Sequence, residues 1–190
     1  MYFFKGYTLS LLSFSTHGEF DVDFKQFISN SLTEETVIIT DNFTLITDFS
    51  KYKKIIKIKD FQDILDAVSI LNNKQIFLDV YINCLSNNMS LLERANEIKK
   101  FLGKLRSLLI ENDLELITIY QSYKNRYNQH IYNQHSSEIY VSDLHINYNH
   151  ENKTLNVVKD RINPSIREIN LLTWKKEFRK QKIERLLEKK

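Results

Sequence analysis

Glycine, proline and cysteine are all scarce in this chain. Its 190 residues include three glycines, one proline and one cysteine. So few backbone breakers exclude a linker-rich, collagen-like or low-complexity protein. The lone Cys84 excludes an internal disulfide and fits a reducing, cytoplasmic setting. Following an apolar stretch, it is expected to be a buried and inert thiol. No apolar run approaches the ~20 residues that span a bilayer, so no membrane partner is expected. The opening MYFFKGYTLSLLSF is apolar, but a lysine interrupts it and no small-residue cleavage site follows. It reads as a first strand rather than a signal peptide. An excess of one charge is lacking too: 27 Lys and Arg face 24 Asp and Glu, a formal net charge of +3. That balance permits nucleic-acid binding only through a local basic patch.

What is there is an alternation of strand and helix signals in a chain long enough for one domain with a real core. Strands are expected at Tyr7–Phe14, Thr36–Thr40, Lys54–Ile58, Gln75–Val80 and Glu115–Tyr120. Between them, Asp23–Leu32, Phe61–Leu71 and Ser90–Ile110 carry apolar residues at helical spacing. Asp60 is placed to cap the second helix. Ser90 with Glu93 forms a capping box for the third. Ser122–Ser136 reads as a polar, aromatic loop. Glu138–Asn147 and Thr154–Lys159 read as a hairpin turning through Asn149–Lys153, and Ser165–Lys190 as a long charged helix. Helical crossovers imply a mostly parallel sheet with helices on both faces and antiparallel strands at one edge. The expected organisation is an α/β domain over residues 1–164 and a charged C-terminal helix over 165–190.

Four pieces in the second half share an order and spacing. Ile76-Phe77-Leu78-Asp79 ends an apolar strand in a carboxylate. Leu116–Gln121 ends the next strand in an amide. Ser122–Ser136 follows as a loop. Val157–Pro164, VVKDRINP, sets Lys159 and Arg161 beside a turn. Together they resemble the RecA-like ATPase core, in its replicative hexameric helicase and phage recombinase branches, over roughly residues 5–166. The resemblance implies that Asp79 stands where a carboxylate holds a magnesium-bound water, and Gln121 where the family senses the γ-phosphate. It implies that Lys159 and Arg161 form the Lys-x-Arg finger that reaches a neighbouring subunit's nucleotide. The loop takes the place of the DNA-contacting loop.

The family's phosphate loop, G-x-x-x-x-G-K-[ST], does not follow the first strand. Thr16-His17-Gly18-Glu19-Phe20-Asp21-Val22-Asp23 stands there instead, and neither GKT nor GKS occurs anywhere. Glu19, Asp21 and Asp23 put carboxylates where polyphosphate would sit, and like charges there repel. Thr40-Asp41-Asn42 also offers no catalytic Glu. The expectation is a degenerate nucleotide site, no ATP hydrolysis and no resident cofactor.

A non-catalytic accessory in phage-type DNA replication or recombination follows from the resemblance. Its expected partners are single-stranded DNA and an ATPase-competent RecA-like subunit, or a second copy through self-association. Tyr123, Lys124, Arg126, Tyr127 and Tyr132 would contact nucleic acid, cations along phosphates and tyrosine faces on bases. One enzyme alternative is a Mg2+-dependent nuclease built on Asp21, Asp23 and Asp79, with Glu19 and Asp41 nearby. Another alternative is an interaction module that inhibits a host helicase or recombinase. His130, His135, His145 and His150 lack the helical i, i+4 spacing of a zinc protease and are expected to be exposed or locally hydrogen-bonded.

Overall fold

The structure is a computed structural model that describes residues 4–15, 22–41, 51–72, 74–81, 90–124, 130–131, 141–149, 151–162 and 168–187. Its elements follow the alternation in the sequence. Strand β1 (Leu9–Ser15) leads to helix α1 (Val22–Ser31), then β2 (Val37–Thr40), β3 (Lys54–Lys57) and α2 (Phe61–Ser69). Next come β4 (Gln75–Tyr81), α3 (Leu91–Glu111), β5 (Glu115–Lys124) and the short β6 (His130–Ile131). The hairpin β7 (Leu144–Asn149) and β8 (Thr154–Asp160), then β9 (Glu168–Asn170) and α4 (Leu171–Leu187), complete the described chain.

One sheet runs β3-β2-β4-β5-β1-β7-β8-β9, with β6 paired to β5 off this path. Pairs from β3 through β7 are parallel, and β8 is antiparallel to both its neighbours. The first strand therefore lies inside the sheet, between β5 and β7. Buried on both faces, β2 and β4 read as near-continuous apolar runs, as parallel strands require.

Strand alternation sends side chains to two separate cores. On one face Leu12, Phe14, Phe77, Ile117 and Ile146 meet Phe24, Phe27 and Ile28 of α1. Phe24 stacks on Tyr148 at 4.4 Å, and Phe27 meets Trp174 of α4 edge-on at 5.0 Å. On the other face Ile39, Ile76, Leu78 and Leu116 pack against Ile64 and Val68 of α2 and Phe101, Leu105 and Leu109 of α3. Both expected caps form. The Asp60 side chain accepts from Asp63 N at 2.9 Å, and Ser90 with Glu93 makes the capping box.

Three boundaries differ from the sequence reading by more than two residues. Gln121–Lys124, expected as strand terminus and loop, are strand. Gln121 and Ser122 stay in register with Phe14 and Ser15 of β1, and Tyr123 and Lys124 pair with Ile131 and His130. Backbone pairing overrides the polar composition there. Glu168–Asn170, expected inside the terminal helix, add a ninth strand against Thr154–Asn156. The helix starts only at Leu171, where Asn170 Oδ1 accepts from Thr173 N at 3.2 Å and ends the strand as an N-cap. Strand β7 also begins later than expected, at Leu144.

Candidate functional site

The residues singled out in the sequence fall into two groups. Asp79 lies near the C-terminal end of β4, fully buried, beside Thr40 of β2. The β4–β5 register slips between Leu78 and Tyr81, so Asp79 sits in a bulge. Bulges re-aim side chains and recur beside functional sites. Leu78 and Val80 both pack toward α2 and α3, which turns Asp79 to the α1 face. Gln121 is on the neighbouring strand, two positions beyond the Ile119 that pairs with Tyr81. The fold thus brings Asp79 and Gln121 to one end of the sheet, where Gln121 pairs with Phe14 near the end of β1.

Lys159 and Arg161 are elsewhere. Lys159 is level with His145, which is level with Leu11 on β1, Thr118 on β5 and Leu78 on β4. Four strand spacings separate β8 from β4, roughly 19 Å at ~4.8 Å per strand. Their faces differ too. A second register slip, between Val157 and Lys159, makes Val158 an extra residue on β8. It sends Val157 to the α1 core and turns Lys159 to the same face as His145. Val158 is left half exposed.

Lys159 and Arg161 gather with a cation that the sequence reading overlooked, Arg106 of α3. Arg106 Nη2 binds Asp143 Oδ1 at 2.8 Å, and Nη1 binds the Val141 carbonyl. Arg161 Nη1 binds the same Asp143 oxygen at 3.2 Å, while its backbone N–H donates to the Asp143 carbonyl. The other Asp143 oxygen accepts from Leu9 N at 3.2 Å. Burial alone would raise the Asp143 carboxyl. The Arg106 and Leu9 hydrogen bonds and the two guanidinium charges outweigh it and hold the group below its usual value. Burial, reinforced by Arg161 and Arg106 and opposed by Asp143, lowers Lys159. Three cations around one carboxylate make a seat suited to a further anion.

Asp160 turns to the opposite face, where both its oxygens accept from the Tyr7 hydroxyl, at 2.9 and 3.0 Å. Burial, with Asp160 behind it, pushes Tyr7 up to about 12. Deeper in the sheet, Ser13 Oγ lies 2.8 Å from His145 Nε2 and 3.2 Å from Asn147 Oδ1. All three residues are buried. A serine beside an imidazole is the beginning of a nucleophilic pair. Here burial shuts both away, and the bond ties β1 to β7. His145, expected among exposed or locally bonded histidines, is instead a core residue bonded across the sheet. Burial, then the charge of Lys159, lowers its imidazole to about 4.

Of the carboxylates that a nuclease reading would use, Asp23 stands in the first turn of α1. It binds Lys175 at 3.0 Å and Lys153 at 3.5 Å. Two ammonium groups thus take its oxygens. No group of three His, Cys, Asp or Glu placed to hold a metal occurs among the described residues. Glu19, Asp21, Cys84, Arg126, Tyr127, Tyr132, His135 and His150 lie outside those residues. Tyr123 and Lys124 end β5. No described helix is long and apolar enough to cross a membrane.

Arg106 had a signal in the sequence. It falls four residues after Leu102 and three before Leu109, on the side of the helix those leucines bury. A cation on such a stripe calls for a buried partner. Asp143 had none, since its partners come from β1, α3 and the turn after β8. Neither a family model nor a curated protein matches this sequence.

Proposed function

We propose that the chain is a RecA-type domain with a degenerate nucleotide site, acting without catalysis in DNA replication or recombination. It binds single-stranded DNA, a related ATPase subunit, or both. The observation that carries this reading is the distance between its two groups of nucleotide-site residues. Asp79 and Gln121 share one end of the sheet; Lys159 and Arg161 stand four strands away with Arg106. One chain cannot close both groups on one triphosphate. Cations placed this way serve a neighbour's phosphates.

Topology adds support. The first strand lies between β5 and β7, and only β8 of the eight-strand path is reversed. A mostly parallel sheet with an antiparallel edge is the architecture the reading requires. The stretch after β1 has no phosphate-cradling glycine loop. The DNA-binding half rests on β5 and β6. Beyond Ser122, which pairs with Ser15 at the end of β1, β5 continues as a two-stranded ribbon bearing Tyr123 and Lys124. Arg126, Tyr127 and Tyr132 flank that ribbon in sequence.

A fluorescein-labelled oligothymidylate, followed by anisotropy with and without ATP and Mg2+, tests the reading. The expected complex weakens as salt rises, ignores ATP and leaves the probe intact. Replacing Lys124 and Arg126 together by Ala should weaken it about tenfold or more. Silence at low salt would remove the DNA-binding claim. Mg2+-dependent loss of the probe would replace the accessory role with the nuclease of Asp21, Asp23 and Asp79.

A further inference from the structure

At the far edge of the sheet, β3 has one partner, β2. No hydrogen bond reaches its outer side among the described residues. An open edge is a template for another strand. Every charged side chain along Lys53-Lys54-Ile55-Ile56-Lys57-Ile58-Lys59 is a lysine. Lys53 pairs with Glu35. Lys54, Lys57 and Lys59 are exposed and form no ion pair among the described residues. Of the carboxylates near this stretch, Asp60 caps Asp63 N, Asp63 accepts from Lys59 N and Asp66 accepts from Gln62, and Asp41 follows the Thr40 that pairs with Lys57. Beside the strand runs an open groove of about 630 Å³, whose lining combines Ile56, Ile58, Ala67 and Ile70 with Asp63 and Asp66 of α2. Ile70 is 71% exposed and Ile55 43% exposed, so both are open to a ligand along this edge.

We propose that this edge binds an extended acidic segment of a partner protein, which adds a strand to β3 and lays apolar side chains in the β3–α2 groove. Main-chain pairing would provide affinity and alternate side chains specificity. Directly opposed residues in paired strands lie close enough for charge to decide the match. The same lysines therefore turn away a second copy of β3 and admit a strand carrying Glu or Asp. The site is independent of the nucleotide-site residues and of the β5–β6 ribbon, so it stands or falls separately from the DNA-binding reading.

The probe is a labelled peptide alternating Glu with Val, compared with its Lys–Val counterpart and a Glu–Ser peptide of equal charge. Only the Glu–Val peptide is expected to bind, and it should slow amide hydrogen exchange at Lys54–Lys57. The double variant Lys54→Glu, Lys57→Glu, both exposed, should lose that affinity at least tenfold and gain affinity for the Lys–Val peptide. Ile70→Asp should weaken Glu–Val binding while the unfolding midpoint stays put. Equal binding of the Glu–Ser peptide would overturn the proposal by leaving only diffuse attraction. Protection elsewhere, no binding, or a concentration-dependent dimer through β3 would overturn it as well.

Discussion

Between α2, α3 and the strands β2, β4 and β5, the contact is hydrocarbon. Ile39, Ile76, Leu78, Val68, Leu105 and Leu109 meet with little else among them. On the same face a few ångströms across the sheet, β1, β7 and β8 join through Ser13, His145, Asn147, Asp143, Arg106 and Arg161. Ser13, His145, Asn147 and Asp143 are buried like the apolar set, while Arg106 and Arg161 reach toward solvent, and the two regions obey different rules. Hydrophobic burial has no direction, so an isoleucine accepts many neighbours. A buried hydrogen bond or ion pair accepts few, and each member depends on the rest. The apolar half holds the sheet together. The polar half also fixes where Lys159 and Arg161 stand, because Asp143 anchors Arg161 and the β8 bulge sets the face of Lys159.

The largest way to break this contrast is Asp143→Ala. It leaves Arg106 and Arg161 facing each other and removes the acceptor of Leu9 N. We expect a loss of about 4 kcal/mol in urea unfolding at pH 7, since an ion pair broken on one side strands a partly buried charge. Replacing Arg106 and Asp143 together by leucine should recover part of it. A loss below about 1 kcal/mol would mean that the polar half is no more demanding than the apolar one.

Next comes pH. Folded, His145 takes a proton only near pH 4; unfolded, it does so at about 6.5. Its neutral form therefore contributes fully above about pH 6.5, and that stability drains away as pH falls toward 4, by about 3 kcal/mol in all. Urea midpoints from pH 7.5 to 4.5 should fall along this course, and His145→Gln should flatten it. An unchanged slope in the variant would place the titration elsewhere. The smallest effect belongs to the apolar half. Asp60→Ala removes the cap of α2 and should cost about 1 kcal/mol, visible as a small drop in melting temperature. A loss as large as that of Asp143→Ala would show that the apolar half, too, rests on single polar contacts.

Much of the architecture was readable from local pattern. Strands β1 to β5 and helices α1 to α3 lie where apolar spacing puts them, and Asp60, Ser90 and Glu93 cap as their spacing requires. The errors are equally instructive. Ser122–Lys124 are polar enough to read as loop, and only β1 and β6 alongside make them strand. Glu168–Asn170 read as helix until Thr154–Asn156 offer an edge. His145 reads as exposed or locally hydrogen-bonded because its partner, Ser13, is 132 positions away. The site followed the same division. Asp79 at a strand end and the pair Lys159 and Arg161 stood out by position, whereas Asp143 emerges only from partners on three other elements.

The sequence alone determined the α/β alternation, the lengths of the central helices, the caps and the absence of a G-x-x-x-x-G-K-[ST] motif, because each depends on residues within a few turns or strand positions of one another. Tertiary structure decided the strand order, the two bulges and the distance between Asp79 and Lys159. Those depend on which distant backbone groups satisfy each other's hydrogen bonds. Pairing across a sheet leaves no periodic trace in the residues that will meet.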